Sequence, residues 1–471
     1  MKIRKIRLRA LTALLLLCSV WVVAPAQVNP EPRREQLLNG LRIILWSRPA
    51  DQNVLVKLRV HSGAAFDLAG KEGLMAALVD TMFDQQTRDY VADELGGRLD
   101  VALGYDTIDI TLSGRATDFD RLLELARNAV INPQLTPEVF ERVRAARAKS
   151  LREKPPTAAE AADRASAARL FGTYPYGRVT TGTPDSVARA ERADLLLLRE
   201  RFLNPDNTTL VIVGGFEPKR VMRSMREAFG GWRKSDRPIP ATFKLPDPPD
   251  ERTLVVNQAD SATVELRLAL RGFARTDIDS PAAQVVAAVT RSRWLAAMPE
   301  LKERAAFARH DPYRENGIFR MGATLKSPAE AAKALETARK VLADLSTNAP
   351  TATELEAAKQ AAAEALGANA TGDEATASAW LDEHTYKNSA ATAGSLARAA
   401  RALSTGDAQR VAARLFLHTP VATVALGDAA QLRTELARVG TVEVFGEAAA
   451  KPPQPQPTPK PQQPTLQLKR P

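Results

Sequence analysis

The side chains of this chain that are able to do metal or acid–base chemistry are few and scattered. There are four histidines, His61, His310, His384 and His418, and none stands at metal-ligand spacing from another. A zinc site needs at least three imidazole, thiolate or carboxylate donors converging on one ion, and catalysis also needs a base for the bound water. Glu383-His384 matches half of a zinc motif, but Trp380 stands where the first histidine would be. Each histidine is therefore expected to be a surface or half-buried imidazole. No Gly-Lys-Ser/Thr phosphate loop, dinucleotide fingerprint or nucleophile elbow occurs. One carboxylate does sit in a suggestive place. Asp80 lies in the stretch Gly70 to Phe83, where Leu74, Met75, Leu78, Val79 and Met82 recur at helical spacing and cover most of the circumference. A helix apolar nearly all round belongs inside a core.

The surroundings of that helix carry a resemblance. Leu38-Asn39-Gly40-Leu41 precedes a strand from Val54 to Val60, then His61-Ser62-Gly63, then Gly73-Leu74 and the helix. Further on stand Pro175-Tyr176-Gly177-Arg178, Gly182-Thr183-Pro184 and Asn204-Pro205-Asp206-Asn207, whose Pro, Gly and Asn are turn chemistry. This order resembles the insulinase-type (M16) zinc peptidases, particularly the short form that works as paired subunits. The resemblance covers nearly everything from Arg34 to Phe445. It implies an α+β fold of two homologous M16-type (LuxS/metallohydrolase-like) domains, each a mainly antiparallel sheet with packed helices, together a clamshell.

In that family the buried helix carries His-x-x-Glu-His. Laying its Gly-Leu on Gly73-Leu74 puts the first His at Ala76, the Glu at Val79 and the second His at Asp80. The third ligand, a Glu in a later helix, falls at Ser150, with Glu153 one turn on. Ala76 and Val79 offer neither a lone pair nor a proton, so the helix over 73–83 is a degenerate zinc helix. The resemblance also implies an Arg and a Tyr that the subunit lacking zinc lends from its second domain to polarise the scissile carbonyl. Counting from Ser292-Arg293, those positions fall at Glu300 and Phe307, which cannot do that work. Arg304, Arg309 and Tyr313 lie nearby as substitutes.

The elements that must position these residues read as a duplication. In the first half come the strand Val54 to Val60, the buried helix, a strand from Thr107 to Leu112, helices from Phe119 to Val130 and from Pro137 to Arg152, a strand from Leu210 to Val213 and a helix from Pro218 to Phe229. The second half repeats them with a strand from Val264 to Leu270, a helix from Pro281 to Ala297, a strand from Gly317 to Leu325, helices from Ala329 to Leu345 and from Thr353 to Leu366, and a strand from Val421 to Leu426. The offset of about 210 residues suits a duplicated domain and is too long for a solenoid. Expected boundaries are 34–235 and 251–447, joined by the Pro-rich linker 236–250.

The two ends read differently. Met1 to Ala26 has a basic n-region, an apolar run from Leu11 to Val23 and Ala24-Pro25-Ala26, so a signal peptide cleaved after Ala26 and a periplasmic location are expected. The single cysteine, Cys18, lies within it, so the mature chain has no disulfide. Residues 448–471 are rich in Pro and Gln and are expected to form a disordered tail. The formal charge is +10, and removing the five basic residues of the signal leaves +5. The tail holds four more basic residues, so the globular part is near neutral and shows no footprint for nucleic acid.

The expectation is a non-catalytic subunit that contains no cofactor and no metal of its own. It would pair with a zinc-bearing M16 homologue and bind peptides or unfolded protein along an edge strand. Two alternatives remain: an envelope scaffold using the fold without proteolysis, and a metallopeptidase with unorthodox ligands such as Asp80 and Glu153.

Overall fold

A computed structural model describes residues 31–446, apart from 238, 240–242, 260, 262, 302–304, 368–370 and 390–391. The expected signal peptide, the whole of the expected tail 448–471 and Arg304 lie outside the described residues. No described helix is long and apolar enough to cross a membrane.

Two six-stranded sheets form the frame. In chain order the strands are β1 (Arg33–Gln36), β2 (Arg42–Ser47), β3 (Asn53–Val60), β4 (Arg98–Leu103), β5 (Ile108–Arg115), β6 (Thr208–Gly214), β7 (Thr253–Asn257), β8 (Val264–Gly272), β9 (Ala306–Pro312), β10 (Gly317–Leu325), β11 (Ala422–Gly427) and β12 (Val442–Val444). The first sheet runs β1-β2-β6-β3-β5-β4 and the second β12-β7-β11-β8-β10-β9. Five strands of each match in order and direction: β2 pairs parallel with β6, as β7 does with β11, and every later pair is antiparallel. The duplication read from the sequence is thus a duplicated topology, and the fold is α+β.

Alternation explains the central strands. In β3, Val54, Val56, Leu58 and Val60 enter the main core of the first sheet, while Lys57 and Arg59 point to the opposite face. In β8, Val264, Leu266, Leu268 and Leu270 enter the core of the second, with Glu265 and Arg267 opposite. Fully burying each aliphatic side chain contributes about 1.5–3 kcal/mol, so a one-residue slip of either strand would be prohibitive.

The compact units do not follow the chain halves contiguously. The first comprises the chain up to Arg152, Thr180–Ala241 and Asn369–Thr392; the second comprises Glu153–Val179, Thr242–Ala368 and the chain from Ala393 on. Each half of the chain therefore gives one helix to the other half's sheet. Helix Asp373–Tyr386 lies on β3 and β6 in the first unit, and helix Ala158–Phe171 lies on β8 and β11 in the second.

Both exchanged helices dock through buried charge as well as apolar contact. Arg59 bonds Asp109 at 2.6 and 3.0 Å and Asp382 of the first exchanged helix at 2.6 Å. Lys57 Nζ donates to Ser378 at 2.9 Å. Ile44, Leu55, Val211 and Val213 meet Ala377 and Leu381, with Trp46 edge-on to Trp380 at 5.5 Å. In the second unit Asp163 takes bonds from Arg267 at 2.6 Å and Arg309 at 2.8 Å, with Arg320 at 3.4 Å. The described part of the linker contributes too: Pro246 O accepts from Arg271 at 2.8 Å.

Candidate functional site

The buried helix is short, Leu74–Asp80, and ends sooner than the expected 73–83. Thr81 stops it, its hydroxyl donating to Leu78 O at 2.7 Å. Its amino end is held from a distance: Asp67 accepts the Gly73 and Met75 N–H groups at 2.7 Å each. That carboxylate, itself buried, satisfies two orphan donors and suits the positive end of the helix. Gly73 sits at φ 92° and its Cα faces Gly182, where a Cβ would approach to 2.8 Å. The Gly182-Thr183-Pro184 turn thus packs directly on the start of the helix.

Leu74, Met75, Ala76, Ala77 and Leu78 are buried, Val79 is half-buried and Asp80 emerges at the surface. The groups at the family's ligand and base positions are therefore a methyl, an isopropyl and a single carboxylate. Helix Pro137–Glu153 faces this point, but not with Ser150, which is exposed. The residue that reaches Asp80 is Arg147, one turn earlier, on the stripe of the buried Phe140 and Val143. Its guanidinium bonds Asp80 at 2.7–2.8 Å, Ala76 O at 3.0 Å and Thr181 O at 3.2 Å. Burial on its inner side pushes the Asp80 carboxyl above the usual carboxylate range, while Arg147 and, further off, Arg88 pull it back.

A guanidinium that stays charged has no lone pair for a metal or for a water proton. Among the described residues no three His, Cys, Asp or Glu side chains gather where they could hold a metal ion. The donor set does not fit the family's zinc. Glu153, proposed as an unorthodox ligand, is exposed at the end of its helix. What the arrangement does is structural: Arg147 ties the buried helix, the long helix and the Thr181 turn together. Arg147→Ala is expected to lower stability by about 1–2 kcal/mol, since 41% of the Asp80 side chain is exposed and only the two carbonyls lose a shielded donor. Urea unfolding of the two proteins side by side checks this.

The positions expected to complement a partner are also structural. Glu300 pairs with Lys333 on the surface. Phe307 lies in β9 with the guanidinium carbons of Arg267 and Arg309 at 5.0 and 5.1 Å from its ring centre. Arg309 is committed to Asp163 and Asp311. Tyr313 packs on Tyr176, ring centres 4.7 Å apart. Arg293 clamps Glu354 at 2.9 Å and Asp344 at 2.6 Å, and the Arg293 hydrogen bonds hold Glu354 down to about 2. None of these is poised over an open site.

Two histidines depart from the expected surface or half-buried setting. His61 is buried, bonded to Thr385 at 3.0 Å and Thr209 at 2.9 Å. His310 is buried, and its Nε2 accepts the Phe273 N–H at 3.0 Å, which places the ring proton on Nδ1. Both face strands whose polar outward positions a helix or loop then covers, which no local pattern reveals. His384 is half-buried and His418 exposed, as expected.

The edge strand beside the buried helix is β4, last in its sheet, and the helix packs against it. Two sheets of matching order, a short buried helix beside an edge strand and a long helix facing it define the class: an M16 peptidase-type fold without its ligand set. The comparisons with known proteins agree. The family model described as "Peptidase M16 inactive domain" matches residues 189–362. An uncharacterized zinc protease of Mycobacterium tuberculosis is 24% identical over 251 residues, 51% of this chain and 57% of that protein. The match thus spans only a little over half the length of that relative. A protease from Helicobacter pylori shares the fold with a TM-score of 0.74 at 18% identity, covering 84% of this chain and 99% of that one. The first half of the periplasmic protease PqqL from Escherichia coli does so with a TM-score of 0.65 at 14% identity, covering 86% and 94%. Residues 189–362 thus carry the similarity to the M16 inactive domain, and the wider chain shares its fold with solved M16-type proteins, among them an M16 inactive domain from Pseudomonas fluorescens with a TM-score of 0.71 at 16% identity, covering 85% of this chain and 98% of that one.

Proposed function

We propose that this protein is a non-catalytic subunit that pairs with a zinc-bearing M16 homologue in the periplasm and supplies peptide-binding surface to it. The observation that carries the reading is Arg147 paired to Asp80 at 2.7 Å, where the family's ligands would converge. The shared fold supports the pairing: this chain is similar to the first half of the periplasmic protease PqqL from Escherichia coli, a protease in which that half is followed by another. β4, open on one side and adjacent to the former metal position, is the surface on which an extended peptide would add as a strand.

The test is affinity capture of the mature chain from an extract of its own cell envelope, with captured proteins identified by mass spectrometry. The reading expects a stoichiometric partner whose sequence contains His-x-x-Glu-His. A chain that is captured alone, or only with proteins lacking that motif, would leave a scaffold in its place.

A further inference from the structure

The edge at β4 has a register that can be worked out from its hairpin. Gly104 N–H donates to Thr107 O at 2.9 Å, so 104 and 107 form a hydrogen-bonded pair. Bonded and non-bonded pairs alternate along an antiparallel ladder. With the observed register, Ala102↔Asp109, Asp100↔Thr111 and Arg98↔Ser113 are then bonded, and Leu103↔Ile108, Val101↔Ile110 and Leu99↔Leu112 are not. The N–H and C=O groups of Leu99, Val101 and Leu103 therefore point away from β5, toward the open edge. Their side chains turn inward, Leu99 buried in the core and Val101 and Leu103 packed against it.

One of these outward groups is already taken. Arg88, half-buried on helix Gln85–Asp93, donates its Nη1–H to Leu99 O at 3.2 Å. The outward groups of Val101 and Leu103 meet no partner among the described residues. Unpaired edge groups are a template for another strand. The Arg88 cap covers one end of that template and leaves the other open.

We infer that Arg88 is a gate on this edge. Its guanidinium holds the carbonyl that the first N–H of an incoming peptide strand must capture, so strand addition over Leu99–Leu103 requires the side chain to swing off. This rests on the peptide-binding reading above. It adds that the resting chain presents a shortened edge and that Arg88 sets its affinity.

The probe is a fluorescein-labelled, unfolded casein fragment, with binding followed by anisotropy. Arg88→Ala is expected to bind it about tenfold more tightly than the native chain, the worth of one competing charge-assisted hydrogen bond. Val101→Pro removes an N–H that faces the edge and not β5, so the hairpin ladder survives while strand addition is blocked. Placed in the Arg88→Ala protein, it is expected to abolish the gain. A thermal melt of each variant confirms folding, and hydrogen exchange supplies a readout without proline: the Val101 and Leu103 amides should become protected when peptide is added. If Arg88→Ala binds no tighter while Val101→Pro still cuts binding, the gate is wrong and the edge reading stands. If Val101→Pro changes nothing and the two amides stay unprotected, both are wrong.

Discussion

Replacing Arg59 with alanine should cost about 3–5 kcal/mol of unfolding free energy, the largest effect expected of any single side chain in the first unit. Arg59 is 6% exposed and bonds two carboxylates, Asp109 and Asp382, which are themselves 18% and 14% exposed. Burial pulls its pKa down, but Asp109 and Asp382 more than offset that, so it stays charged. Removing it strands two shielded negative charges and releases the exchanged helix Asp373–Tyr386 from β3. The change should be visible in tryptophan fluorescence during urea unfolding, because Trp380 of that helix packs edge-on against Trp46 of β2. Asp382→Asn in the same protein should recover part of the loss, since one stranded charge is gone. By contrast, Arg121→Ala, which removes an exposed partner of Glu124, should change stability by at most about 1 kcal/mol. An Arg59→Ala protein that unfolds at the native midpoint would mean the helix does not depend on this network.

The second large effect is acid sensitivity through His310. Its ring is buried and burial pushes its pKa down to about 4. The folded chain thus keeps His310 neutral while the unfolded chain protonates it near the ordinary value of about 6.5. Between these values the unfolded state binds more protons, so stability rises with pH. The contribution is fully present above about pH 6.5 and is lost as the pH falls toward about 4, amounting to about 3 kcal/mol over that window. His384, depressed by burial and by Arg42 and Arg34, acts in the same direction. Asp250 and Glu354, each held down to about 2 by an arginine, lose their contribution only at lower pH and so do not confuse the reading. Urea midpoints from pH 7 to pH 4.5 should therefore fall steeply for the native chain and much less for His310→Phe. Equal slopes would assign the acid sensitivity to other groups.

Much of this architecture was legible in the sequence, and for a physical reason. Strands such as β3 and β8 alternate apolar and polar residues because one face meets a core, and helices such as Pro218–Phe229 bracket themselves with Pro and Gly. That Ala76 and Val79 offer no donor was equally legible, since a methyl and an isopropyl group carry none wherever they sit. Long-range pairing was not. Arg147 meets Asp80 across 67 residues, and Arg59 meets Asp382 across 323. The phase of helix Pro137–Glu153, with Phe140, Val143 and Arg147 on one stripe, was the available signal for the first. The exchanged helices had no signal of their own. Ser378, Asp382 and Thr385 look like a solvated face until Lys57 and Arg59 of β3 and His61 just after it receive them.

The same physics separates the halves of the duplicated fold. In the first, Lys57 and Arg59 of β3 and the following His61 meet the borrowed helix; in the second, Arg267 of β8 does so, itself paired with Glu265 at 3.0 Å. Both exchanges use an arginine on the central strand and an aspartate on the helix, Arg59 with Asp382 and Arg267 with Asp163.

The measurement that tests the central claim most directly is the zinc content of the purified mature chain, equilibrated with zinc and freed of loosely bound ion, by inductively coupled plasma mass spectrometry. With a guanidinium on the one carboxylate at the former ligand position, the account predicts essentially no zinc in the isolated chain. It predicts about one zinc per pair once a motif-bearing homologue is bound. One tightly held zinc in the isolated chain, lost on replacing Asp80 with asparagine, would contradict it and restore a metallopeptidase with unorthodox ligands.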